Sequence, residues 1–318
     1  MPPRNCTESI RLIVNPRAGG GRAGAQIDKL KHWISQAFEK FEVTLTEGPG
    51  HAAILAAEAA REGSNLVAAV GGDGTCHEVV NGLFNGTSPI NPDCIFTVIP
   101  FGTGSDLVRS LRMPLITQDA VDVAASGLTR LVDVGVAEIT IDGKTDIELF
   151  INVAGFGANG EVARRSNLSS KRFGGTVTFV GATLRTLASY TPQPVRVTAK
   201  TERGVELWQE DLLSAFVANG HYCGSGMWVG AGGSMSDGRL DVSLLRPSSM
   251  LQTARDFPRL YDGNLSQSPT VTRMVCTELT AEVVGQGSVS IELDGETRGT
   301  LPGRFWVIPE TLPVRAVW

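Results

Sequence analysis

Short apolar runs alternate with longer segments of helical spacing over the first hundred residues. Ile10 to Val14 is a brief, largely apolar run that reads as a strand, followed by the glycine-rich loop NPRAGGGRAG. In AQIDKLKHWISQAFEKF, Ile27, Leu30, Ile34 and Phe38 recur at helical intervals, which predicts an amphipathic helix. FEVTLTE predicts a strand, and GHAAILAAEAAREG a helix closed by Gly63, a residue suited to the position just past a helix end. LVAAV then reads as a buried strand, TCHEVVNGLF as a helix and CIFTVIP as another strand. Such alternation implies a parallel sheet with helices on its faces, and sheets of this kind bind ligands at the carboxyl ends of their strands.

The period changes near Arg130. From VDVGVAEITIDG onward two-residue alternation dominates, in Val195 to Ala199, Leu213 to Ala218, RLDVSLL and SVSIELDGE. In RLDVSLL, Leu240, Val242 and Leu244 should face one way and Asp241 and Ser243 the other, as in a half-buried antiparallel strand. One helical insert is expected at Val177 to Leu187, and NLSQSPT (Asn264 to Thr270) is the one loose stretch. The 318 residues are enough for two domains. The expected fold is α/β: an N-terminal parallel-sheet domain over residues 1–129, then a β-rich, antiparallel, sandwich-like domain over 130–318. The last strand is free to return to the first domain, and the active site is expected in the cleft between the two.

Composition narrows the function without naming it. Hydrophobic residues make up 42% and charged residues 19%, the balance of a folded protein and not a disordered one. A formal net charge of −5 argues against a nucleic-acid binder but leaves room for a local basic patch on an anionic membrane. The N-terminal residues show no secretory h-region, and no run is long enough to cross a bilayer, so a cytoplasmic protein is expected. Cys6, Cys76, Cys94, Cys223 and Cys276 lie far apart with no C-x-x-C pair, which speaks for plain thiols and against zinc or disulfides.

The candidate chemistry sits in three glycine-rich turns: NPRAGGG (Asn15 to Gly21), GGDGT (Gly71 to Thr75) and PFGTGS (Pro100 to Ser105). A phosphate group needs backbone N–H donors and close approach, which glycines and helix N-termini supply. One such turn could be mere packing; three at the same sheet edge point to a phosphorylated ligand. Asp73 offers an acid there, and Thr75 reads as a helix cap. No G-K-[ST] follows, so this is not a P-loop, and GTGSDL lacks the third glycine of a dinucleotide fingerprint. Arg17 and Arg22 read either as phosphate contacts or as solvated charges.

The stretches VNPRAGGG, LTEGPGHA, GGDGTCHEVVNGL, PFGTGSDLVRSL, INVAGFGANGEV, ANGHYCGSGM to SMSDGRLDV, and LDGE run in order from Val14 to Glu296. In this series the chain resembles the diacylglycerol kinase and sphingosine kinase-like lipid kinase family, its soluble bacterial members in particular. GGDGT alone is shared with NAD kinases and sugar-phosphate kinases; the full series is specific. The resemblance implies ATP held by Asn15, Pro16, Arg17, Ala18 and Gly19, by Thr46, by Gly71, Gly72, Asp73, Gly74, Thr75, Cys76 and His77, and by Thr103. It implies Mg²⁺ in the second domain, held by backbone oxygens of Ser234 and Arg239 and the carboxylate of Asp237; oxygen ligands suit that ion. It makes Glu296 the general base, with Asp73 the other acid near the transferred phosphate. The implied substrate is a lipid with a free hydroxyl, diacylglycerol first, met through transient contact at the inner membrane surface; a homodimer stays open.

Two positions depart from the family pattern. Ser105 stands where asparagine usually precedes the aspartate of G-T-x-N-D, and Asn159 where G-F-G-A-D has aspartate. His77 reads equally as a ligand contact or a helix-surface histidine. Arg164, Arg165, Lys171 and Arg172 in ARRSNLSSKRFGG read as a lipid-headgroup patch or a solvated loop. Asp294 reads as the turn residue of the LDGE hairpin, a carboxylate whose neighbour Glu296 has Arg298 within reach. An NAD kinase-like enzyme and a nucleotide-binding regulator without catalysis are the rival readings.

Overall fold

A computed structural model describes residues 6–101, 106–141, 143–168, 186, 189–230 and 232–318. The chain forms two compact units, one from residues 1–133 together with 310–318, the other from 134–309. The helix expected at Val177 to Leu187 lies outside the described residues apart from Thr186, as do Thr103, Ser105, Lys171 and Arg172.

In the first unit four parallel strands, β1 (Cys6–Val14), β2 (Phe38–Leu45), β3 (Leu66–Gly71) and β4 (Ile95–Pro100), lie in the order β4-β3-β1-β2. Helices α1 (Ile27–Ala37), α2 (His51–Arg61), α3 (Asp73–Gly82), α4 (Asp106–Ser110) and α5 (Thr117–Ser126) connect and cover them. Leu30 and Ile34 of α1 pack with Leu12, Val14, Val70 and Ile99 in one core. The expected helix runs too far: α1 stops at Ala37, and Phe38 is extended, with φ −127° and ψ 137°. Phe38 opens β2 opposite Cys6, so an aromatic residue that fits a pleated ladder leaves the helix while staying buried. Gly63 follows α2 with φ +78°, a left-handed conformation that glycine adopts without steric cost.

The segment 310–318 completes this unit. Val314 pairs in parallel with Phe96, and the Thr97 hydroxyl donates to the Arg315 carbonyl at 2.9 Å. The buried Arg315 guanidinium donates to Glu8 Oε2 at 2.5 Å and to the Ala124 carbonyl at 3.2 Å. A buried cation needs such a partner, because an unpaired one would forfeit its hydration.

The second unit is built of antiparallel strands: β5 (Leu128–Ile141, from Val134 on), β6 (Lys144–Phe150), β7 (Val153–Gly157), β8 (Gln193–Thr201), β9 (Gly204–Leu212), β10 (Ser214–Ala218), β11 (Leu240–Leu245), β12 (Val271–Cys276), β13 (Glu278–Val283), β14 (Ser290–Leu293) and β15 (Glu296–Ala316). One ladder runs β12-β11-β10-β7-β14-β15. A second runs β9-β8-β13-β15, so β15 takes part in both. Phe156 and Phe305 stack at 5.9 Å in a core shared with Val197, Val217, Ile291 and Leu293. Helix α6 (Ala158–Leu168) follows β7 directly. The strand over RLDVSLL is not half-buried as alternation suggests. It lies between β10 and β12, and Asp241 and Ser243 are buried along with Leu240, Val242 and Leu244. NLSQSPT is likewise tied down: Leu265 is buried and the Ser268 hydroxyl donates to Asp256 at 2.6 Å.

Candidate active site

The parallel registers bring the carboxyl ends of the first unit's strands level, with Val14 opposite both Leu45 and Val70, and Gly71 opposite Pro100. The turns after these strands therefore leave one edge of the sheet. Backbone bonds tie them together: the Asn15 amide donates to Val70, Thr46 to Val14 and Phe101 to Gly71, at 3.0, 2.8 and 3.1 Å. The Asn15 side chain donates to the Thr75 hydroxyl at 3.2 Å, joining the first loop to the GGDGT turn, and its Oδ1 accepts from the Arg17 amide. Pro16 and Ala18 are half-buried within that loop and Thr46 is buried, while Arg17 is exposed. Gly19 has φ +61°, and a Cβ there would stand 2.7 Å from the Phe101 carbonyl, so only glycine keeps this loop against the next. Arg22 donates to the Gly19 carbonyl and so braces the loop from the protein side.

Helix α3 begins at Asp73 with Gly72 as its cap, one turn earlier than a cap at Thr75 would place it. Thr75 sits inside the first turn, where its hydroxyl accepts from Asn15 and not from its own helix. The amides of Asp73 and Gly74 lie in the first turn of α3, and a helix N-terminus suits an anionic ligand. The Asp73 carboxylate accepts from the amides of Asp106 and Leu107 at 3.3 and 3.1 Å, so it caps α4 across the gap between the two helices. Cys76 and His77 are buried, and Asn81 of the next turn donates to the His77 carbonyl. His77 is thus neither a surface histidine nor a side chain presented to solvent.

In the second unit Glu296, the base that the resemblance implies, opens β15. Asp294 and Gly295 form a two-residue turn with φ +50° and +87°, the left-handed pair that a tight hairpin demands. Glu296 pairs with Leu293 in the ladder and does not leave the sheet pattern at the turn. Asp294 does more than turn the chain. Its carboxylate accepts from the amides of Ile151, Asn152 and Val153 at 3.1, 2.9 and 3.1 Å, pinning the hairpin to the start of β7. Arg298, the cation expected beside Glu296, pairs with Glu148 at 3.2 Å.

Sequence reasoning missed Glu292. In an alternating strand it falls opposite Ile291 and Leu293 and reads as solvent-facing, yet it is buried. Its Oε2 accepts from the Gly295 amide at 2.8 Å, and burial pushes its carboxyl up to about 8. Asn159, the second residue of α6, donates to the Ala215 carbonyl at 2.7 Å, and its Oδ1 accepts from the Ser214 hydroxyl. An aspartate at this position could not donate to a carbonyl, so the departure from the family pattern suits its local partners. Arg164 and Arg165 both bind Glu161, which offsets part of the basic patch and holds the Glu161 carboxyl down to about 2.

The residues expected to hold a metal form a tight turn. Asp237 accepts from the amides of Ser234 and Arg239, each at 3.1 Å. A Cβ on Gly233 would stand 2.7 Å from Asp241 Oδ2 and 3.8 Å from Asp237 Oδ2, so the missing side chain leaves a cradle facing two carboxylates. The adjoining cavity is about 160 Å³. Burial pushes the Asp241 carboxyl up, Arg273 at 3.0 Å pulls it down, and Asp237 adds to the rise. An oxygen-liganded cation fits here; among the described residues no group of three or more His, Cys, Asp or Glu side chains could hold a metal, so backbone oxygens and water would complete the shell. Replacing Asp237 by alanine should lower the melting temperature and abolish most of the stabilisation given by excess Mg²⁺, which amounts to about 2.7 kcal/mol at a hundred times its dissociation constant. Equal Mg²⁺ shifts in both proteins would place the ion elsewhere.

Comparison with known proteins adds the family. A family model described as "Diacylglycerol kinase catalytic domain" matches residues 9–137, and one described as "YegS C-terminal NAD kinase beta sandwich-like domain" matches residues 152–316. A "Diacylglycerol kinase" of Bacillus subtilis is 27% identical over 305 residues, spanning 93% of this chain and 92% of that protein. A "Probable lipid kinase YegS-like" of Stenotrophomonas maltophilia is 25% identical, spanning 91% and 90%. A putative diacylglycerol kinase from Bacillus anthracis shares the fold with a TM-score of 0.76 at 23% identity over 97% of both chains.

Proposed function

This chain belongs to the diacylglycerol kinase and YegS-like family of lipid kinases, and we propose that it moves the γ-phosphoryl group of ATP to the free hydroxyl of diacylglycerol. The observation that carries this reading is the level row of strand ends at one sheet edge, where Asn15 ties the first glycine-rich loop to the GGDGT turn and Asp73 holds the start of α4. Phosphoryl transfer asks a protein for positioning and charge stabilisation more than for covalent chemistry. In this reading Asn15 to Gly19, Thr46, the α3 N-terminus and the PFGTG turn hold the triphosphate. Asp73 holds the start of α4, and Glu296 accepts the proton of the lipid hydroxyl. Bound at the turn of Ser234, Asp237 and Arg239, Mg²⁺ would offset the charge of the two carboxylates there.

No helix among the described residues is long and apolar enough to cross a membrane. A bilayer-resident substrate then requires transient contact with the inner membrane surface. The test is phosphate transfer from radiolabelled ATP to diacylglycerol, a sphingoid base and NAD in parallel, with each product identified by mass. Labelled phosphatidate alone supports the proposal. Label only in the sphingoid base moves the substrate within the lipid kinases, and label only in the dinucleotide overturns the lipid reading.

A further inference from the structure

The connection from α4 to α5 runs over residues 111–116 and sits at the carboxyl edge of the first unit's sheet. The Thr117 hydroxyl donates at 3.0 Å to the carbonyl of Pro100, the last residue of β4, and so ties the connection to that edge. Leu111 and Met113 anchor it in the core, and half-buried Pro114 stiffens it through the fixed φ of its ring. Arg112, Leu115 and Ile116 are exposed.

Local structure asks for none of these three side chains. The Arg112 amide donates to the Arg109 carbonyl at 3.0 Å and the Met113 amide to the Val108 carbonyl at 2.8 Å. This pair of bonds closes a helix around a left-handed residue just past its end, the usual place of a glycine. Here that residue is Arg112, at φ +52°. Ile116 is the cap of α5 and makes no side-chain bond to it, where serine, threonine, asparagine or aspartate would hold a backbone amide. Leu115 stands where an apolar residue can staple against the fourth helical residue, Ala120. Ala120 is buried, yet Leu115 keeps 61% of its surface and Ile116 64% in solvent. Strain and an unused cap at a surface tip point to a role outside the fold.

We propose that residues 112–116 form a stiff wedge that docks on a lipid bilayer, with Leu115 and Ile116 reaching the acyl boundary and Arg112 meeting a lipid phosphate. Two aliphatic side chains and one cation fall far short of the roughly 800 Å² per partner that a stable protein–protein interface buries. They are enough for an interfacial anchor, which needs an apolar tip with a charged residue beside it. Of the other charged groups on α4 and the first turn of α5, Arg109 pairs with Asp106 at 3.1 Å and Asp119 is exposed. Apolar insertion therefore supplies most of the binding, and Arg112 adds a modest preference for anionic lipid. Docking at this edge brings a bilayer-resident hydroxyl towards the turns that hold the triphosphate. The inference rests on the lipid-transfer reading for that purpose, while the contact itself rests on the geometry of the tip.

The test is co-sedimentation of the full chain with phosphatidylcholine vesicles, with and without phosphatidylglycerol. The wild type should sediment with both, and more with the anionic lipid. The double variant Leu115→Ser/Ile116→Ser should lower the partition coefficient roughly tenfold or more. Arg112→Gly should lower it about fivefold on the mixed vesicles and leave it in place on phosphatidylcholine alone. Neither variant should melt below the wild type, because serine caps a helix better than isoleucine and glycine adopts φ +52° without strain. Transfer to diacylglycerol in vesicles should fall in the double variant, while ATP affinity and transfer to a dispersed short-chain diacylglycerol should hold. A wild type that stays off the mixed vesicles, a double variant that partitions normally, or one that melts well below the wild type overturns the proposal. So does a wild-type dimer that the double variant dissociates. If diacylglycerol is not phosphorylated at all but the serine variant still loses the vesicles, the docking surface stands and the substrate assignment alone fails.

Discussion

Replacing Glu296 by glutamine should cut turnover by roughly a hundredfold or more and leave ATP affinity nearly unchanged. An alcohol is a poor nucleophile at neutral pH, and a placed carboxylate that takes its proton is worth roughly 10²–10⁴ in rate. Glutamine keeps the size and hydrogen-bonding reach of the side chain, so the loss isolates the base. Glu296 is half-buried and fixed in the ladder opposite Leu293, just past a turn held from both sides. Steady-state kinetics gives the turnover and calorimetry the ATP affinity. Near-normal turnover would remove Glu296 from the chemistry. Asp73 is a weak substitute, because its two carboxylate oxygens already accept the Asp106 and Leu107 amides.

Asp294→Ala should be among the most destabilising single substitutions in the second unit, at about 3 kcal/mol or more. Three backbone amides converge on this one carboxylate, and hydrogen bonds to a charged acceptor are worth roughly 1.5–3 kcal/mol each. Alanine leaves those donors without a partner and places a Cβ-bearing residue at φ +50° with nothing to hold it there. A loss of that size lowers the melting temperature by roughly 6–12 °C for a unit of this length. Scanning calorimetry reads it directly. Turnover should fall as well, since the same turn carries Glu296. A melting temperature within about 2 °C of the wild type would show that the three amides find other partners.

The division into a parallel-sheet unit and a β-rich unit was legible because hydrophobic periodicity switches near Arg130 from helical spacing to alternation. The glycine turns were legible for the same reason that they work, since at Gly19 a Cβ would meet the Phe101 carbonyl and at Gly295 the chain takes a left-handed φ that glycine adopts without cost. What alternation hides is a strand covered on both faces. Asp241 and Glu292 read as solvent-facing from their places opposite leucine, isoleucine and valine, yet both are buried and both are pushed up by burial. The partner that makes the burial of Asp241 tolerable, Arg273, lies on a neighbouring strand that no local window reveals, while Glu292 is met by the Gly295 amide of its own hairpin. Likewise Asp73 reads as a free acid in its motif, while its two donors lie more than thirty residues further along the chain.

The return of residues 310–318 to the first unit carries a consequence for how the protein is made. As the chain emerges from a ribosome, β1 to β4 are out long before the strand that Val314 contributes beside Phe96. Until then Arg315 is missing from Glu8 and from the Ala124 carbonyl, and the flank of β4 is an open edge able to recruit strands from other chains. The first unit to be synthesised is therefore the last to be finished, and the whole second unit must pass through in the interval. A chain that stalls before residues 310–318 are made would therefore harm the first unit, at the other end of the sequence, by leaving that edge open to strands of other chains.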